Sequence, residues 1–95
     1  VPPAYLDELC RHLGTLDGFE FEMPSGGVRS ILAPGVDLYA TPGWDGLPGL
    51  PWSLEINGDV PANGEEPVDW TGDLDTDADL YRAAVARVAA RIMPA

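Results

Sequence analysis

The hydrophobic pattern of this 95-residue chain changes period twice, and that change limits the folds open to it. Near the N-terminus Leu6, Leu9, Cys10 and Leu13 recur at i, i+3, i+4 and i+7, with Asp7, Glu8, Arg11 and His12 on the other side. This spacing predicts a helix over 3–13. Pro3 suits its first turn and Gly14 its C-terminal cap. From Phe19 the period falls to two: Phe19, Phe21 and Met23 alternate with Glu20 and Glu22. Residues 28–33, residues 36–41, and Trp52, Leu54 and Ile56 continue as strands. Helical spacing returns over 76–93, with Tyr81, Ala84, Val85, Val88 and Ile92 as the apolar stripe. Thr76 and Asp79 resemble a capping box, Asp77 and Asp79 face the positive end of the helix dipole, and Pro94 closes the helix.

The connections are short. Pro24-Ser25-Gly26-Gly27, Pro34-Gly35 and Asn57-Gly58 are turn sequences, too brief for the crossovers that parallel strands need. A fifth strand around Val60 would be short and, because of Pro61, confined to an edge. Residues 61–75 read as a long acidic loop carrying Trp70. The expected architecture is a single α+β domain over 1–95. It comprises an N-terminal helix, a four-stranded antiparallel β-meander and a C-terminal helix, in a two-layer sandwich. The sheet face away from the helices would carry Glu20, Glu22, Asp37, Tyr39 and Glu55 and stay wet.

Hydrophobic residues make up 45% of the chain, which fits a folded domain rather than a disordered one. No apolar run reaches the roughly 18–20 residues of a membrane span. The start, Val1-Pro2-Pro3-Ala4-Tyr5, lacks the basic and apolar regions of a signal peptide. Cys10 is the one cysteine, so no internal disulfide forms, and a cytoplasmic location is expected.

Charge is the strongest compositional bias. Sixteen Asp and Glu face five arginines and no lysine, a formal net charge of −11. No basic residue occurs in the 52 positions between Arg29 and Arg82, whereas eleven carboxylates do. Binding a phosphate backbone relies on Lys and Arg, so direct nucleic-acid binding and attachment to anionic membranes are not expected.

Catalytic sets are missing. Cys10 and His12, two apart on a helix, point to opposite sides. Ser25, Ser30 and Ser53 have only His12 as a base, and no nucleophile motif surrounds them. One Cys and one His do not make a zinc site. The run Asp73 to Asp79 imitates the start of an EF-hand loop, but Ala78 and Ala84 stand where that loop needs Gly and a bidentate Glu. Glycosidase-type chemistry needs two carboxylates at a set separation in a cleft, which so small a domain seldom contains. The reading is a non-enzymatic domain with no cofactor and no metal.

Between Thr41 and Pro51, three prolines and three glycines surround Trp44, Leu47 and Leu50. This reads as a presented loop or as a plug for the core. The expected function is binding a basic protein surface, with Trp44 and Trp70 as anchors and Asp45, Glu55, Asp59, Glu65, Glu66, Asp69 and Asp73 as the acidic contacts. In size and charge alone the chain resembles small acidic inhibitors of the anti-restriction and anti-CRISPR type. That likeness implies a nucleic-acid mimic in the basic cleft of a nucleic-acid-binding protein. Three other readings stand beside it: an acidity that is only compositional, a small-molecule module or minor enzyme on the open sheet face, and a subunit of a homo-oligomer. A deep pocket lined by Tyr39, Trp52 and convergent carboxylates would favour the small-molecule module, and a convex acidic face the inhibitor.

Overall fold

Antiparallel pairing in unbroken chain order organises the computed structural model, which describes residues 1–44 and 49–93. Helix α1 (Pro3–Leu13) leads into strands β1 (Phe19–Phe21), β2 (Val28–Ala33), β3 (Val36–Ala40), β4 (Leu50–Ile56) and β5 (Asp59–Glu66), and helix α2 (Leu74–Ile92) ends the fold. The sheet order is β1-β2-β3-β4-β5.

Register assigns the faces. Val28, Ala40, Trp52 and Gly64 lie in one cross-strand row, and Arg29, Tyr39, Ser53 and Asn63 in the next. Adjacent rows point to opposite sides of a pleated sheet. The first row, with Leu38 and Leu54, meets Leu9, Cys10 and Leu13 of α1 and Tyr81, Ala84, Val85 and Val88 of α2 in one core. Both helices therefore cover a single face, and the second row lies on the open one. Phe19 packs edge-on against the buried Tyr81 ring, with centroids 5.2 Å apart.

Helix α1 matches its expected range. The sheet has five strands rather than four, because β5 runs eight residues and takes in the first six of the stretch read as loop. Asp-Val-Pro-Ala-Asn-Gly-Glu-Glu is poor in β-branched and aromatic residues, so local preference gave little sign of it. Cross-strand pairing with β4, from Leu50↔Glu66 to Ile56↔Asp59, holds it in place. Helix α2 begins at Leu74, two residues earlier than expected, because Asp73 is its cap. The Asp73 carboxylate accepts from the Thr76 N–H at 2.9 Å and from the Thr76 hydroxyl at 2.7 Å. Among the described residues no helix is long and apolar enough to cross a membrane. Pro94 lies outside the described residues.

Candidate functional site

Arg29 stands near the middle of the open face. Its guanidinium bonds Glu22 at 2.7 Å, Glu55 at 3.1 Å and Asp37 at 3.2 Å, linking residues from β2, β3, β4 and the end of β1. Hydrogen bonding to Glu22 raises the Arg29 pKa further and holds the Glu22 carboxyl below its ordinary value. The centre of the open face is thus an ion-pair cluster of one cation and three carboxylates, still net negative. Alternation put Glu22, Asp37 and Glu55 on one face but was not extended to Arg29, whose place between Val28 and Ser30 was the available signal: a lone cation among same-face acids.

Beside this cluster the sheet carries a cleft of about 630 Å³. Tyr39, Ser53 and Asn63, from one cross-strand row, line it with Thr41, Pro51 and Glu65 from the following row on the same face. Trp44 and Ser25 line it from the β3–β4 and β1–β2 connections. Trp52 and Gly64 belong to the floor, the Trp52 indole being turned toward the core. Two contacts fix the Tyr39 ring: its hydroxyl donates to Ser25 Oγ, and the Arg29 guanidinium lies 5.6 Å from the ring centroid. Gly27 makes room for that ring, because a Cβ there would run into the Tyr39 phenol. Gly64 does the same for Trp52, whose indole would stand 2.9 Å from an added Cβ.

Among the described residues the cleft combines the Tyr39 and Trp44 rings, over the Trp52 floor, with small hydroxyl and amide groups and one carboxylate, Glu65. Glu65 is exposed, and among the described residues no basic side chain pairs with it. No cysteine or histidine lines the cleft. Cys10 and His12 belong to α1, in the opposite layer, and burial pushes the Cys10 thiol up to about 12. Among the described residues, then, neither a Cys nucleophile nor a His base stands at the cleft. Among the described residues no cluster of His, Cys, Asp and Glu is arranged to hold a metal ion.

The other expected contact residues are scattered. Trp44 is 57% exposed, whereas Trp70 is half-buried, with its indole N–H donating to the Gly49 carbonyl at 3.1 Å. Trp70 therefore ties two connections together instead of presenting its ring. Glu66 is buried on the helix side of β5, bonded at 2.6 Å to both Arg87 and Arg91 of α2. Those arginines hold its carboxyl below the usual range, Arg91 most strongly. Glu66 is thus an internal tie, unavailable to a partner. Glu55 is engaged by Arg29. Asp59 and Glu65 sit at opposite ends of β5, Asp69 is exposed after it, and Asp73 is exposed while capping α2. Asp45 lies outside the described residues. Ser25, Thr41, Ser53 and Asn63 were not foreseen as a set. Thr41 and Ser53 share the alternation with Tyr39, but Asn63 joins them only through the pairing of β5.

Fold and cleft together define a small α+β domain with a cleft on the open face of its antiparallel sheet. No family model matches the chain, and neither a curated protein nor a solved structure matches it.

Proposed function

We propose that this domain is a non-catalytic binding module that receives a basic segment of a partner protein in the cleft between Tyr39, Trp44 and Glu65. The observation carrying this reading is the pairing of two aromatic faces with an exposed, unpaired carboxylate. A guanidinium or ammonium group is attracted to the face of an indole or phenol and to a carboxylate at once. The net charge of −11 would steer such a partner toward the domain. The nucleic-acid mimic remains a second reading. Arg29 offsets one of the three carboxylates it contacts, so that strand face stays net negative, but Glu22, Asp37 and Glu55 are gathered on one cation rather than spread as free phosphate-like charges. A reducing compartment such as the cytoplasm suits the single buried thiol.

Each cation–π contact at an exposed site contributes about 0.5–1 kcal/mol, so a one-residue probe binds weakly and NMR is the suitable reader. Titration with Nα-acetyl-arginine amide is expected to shift the Trp44 indole and the Tyr39, Asn63 and Glu65 amides. Trp44→Ala and Glu65→Gln should each reduce the response. Shifts caused by methyl glucoside but not by the arginine probe would contradict the proposal and point to a saccharide site.

A further inference from the structure

The edge of the sheet next to the cleft is open, and its hydrogen-bonding direction can be read from the register. Asn57 N–H donates to the Gly35 carbonyl at 3.0 Å, and Thr41 N–H to the Pro51 carbonyl at 3.1 Å. These bonds set the parity of β4: Pro51, Ser53 and Glu55 turn their backbone groups toward β3, and Trp52 and Leu54 turn theirs toward β5. The partners of Trp52 and Leu54, Gly64 and Ala62, therefore face inward. Asn63 and Glu65 point their N–H and C=O groups outward, along the free edge, while their side chains line the cleft. Among the described residues neither backbone makes a hydrogen bond outside the sheet.

We infer that the basic segment binds by strand addition, as a sixth strand running antiparallel along β5; this rests on the reading of the cleft as a site for a basic segment. Antiparallel geometry makes the residues opposite Asn63 and Glu65 exchange both backbone bonds with them. It also puts the side chains of those residues on the same face as Asn63 and Glu65. Alternate side chains of the incoming strand thus fall over the cleft, beside Glu65 and the two aromatic rings. Main-chain bonds hold the segment, and the cleft reads every second residue.

Charge selects the occupant. β5 carries Asp59 and Glu65 on its exposed surface, so a second copy of this chain would set like charges against each other across the new pair. A strand with basic residues at alternate positions meets the opposite condition. The other edge is less suited, because β1 has only three residues and Arg11 and Arg82 lie over its Phe21 and Phe19 rings.

The main comparison keeps the wild-type protein and changes the peptide backbone. The probe is acetyl-(Arg-Thr)4-amide, compared by calorimetry with one version N-methylated at every Arg and another N-methylated at every Thr. With the Arg side chains over the cleft, the Arg N–H groups are those that bond Asn63 and Glu65. Methylation at Arg is expected to weaken binding about tenfold or more, and methylation at Thr to leave it within about twofold. Equal affinity of the two methylated peptides, or loss on Thr methylation alone, would overturn the inference. If the two are equal and Trp44→Ala still weakens them, the cleft proposal survives without strand addition. If the unmethylated peptide does not bind, both fall.

Discussion

Asp77 is fully buried, and its carboxylate accepts from the Tyr5 hydroxyl, the Thr71 N–H and hydroxyl, and the Gly72 N–H. Burial alone would raise its pKa, but these donors together hold it below the ordinary aspartate value. The sequence showed only an acid in the first turn of a helix, for which dipole complementarity is a sufficient reason. Its actual role depends on Tyr5, 72 positions away, which local pattern does not report. Trp70 is a similar case, since its partner is the Gly49 carbonyl. Removing a buried acceptor leaves its donors desolvated and unpaired. Asp77→Ala is therefore expected to cost about 2–4 kcal/mol in urea unfolding. A loss below about 1 kcal/mol would contradict this account of the site.

At the scale of elements, helices and central strands were legible because their period and their burial agree. Leu6, Leu9, Cys10 and Leu13 are both helically spaced and buried, and Leu38 and Leu54 alternate as their strands require. β5 was legible only as a short edge strand around Val60, since its length is specified by its neighbour: β4 offers a free edge, and Glu66 is drawn inward by Arg87 and Arg91. That tie makes a pH-dependent prediction. The folded Glu66 pKa is depressed, so its stabilising contribution is present above the unfolded value of about 4.3 and is lost as pH falls through the folded one. Wild type should exceed Glu66→Gln by about 1–2 kcal/mol near neutral pH, with Arg87 and Arg91 half-exposed and partly screened. The gap should close progressively below about pH 4. Denaturant unfolding across that range checks it, and a gap that widens in acid would contradict it.

At the scale of the whole molecule, a charge count does not say which charges lie together in space. The sequence shows a 52-residue span without a cation but not its arrangement. Folding returns Arg29 to Asp37 and Glu55, and Arg87 and Arg91 to Glu66, because strand pairing and helix docking bring distant positions together. The acids left exposed are spread over both layers, with Glu8 on α1 and Glu65 at the cleft. A binding function resting on general acidity would treat these two alike, whereas one resting on the cleft would not. The direct measurement is the affinity of acetyl-(Arg-Thr)4-amide for wild type, Glu65→Gln and Glu8→Gln at one ionic strength, since the two variants change the net charge equally. Glu65→Gln is predicted to weaken binding about fivefold, the effect of one ion pair near 1 kcal/mol, and Glu8→Gln by less than about twofold. Equal weakening by the two variants would contradict a cleft-centred site.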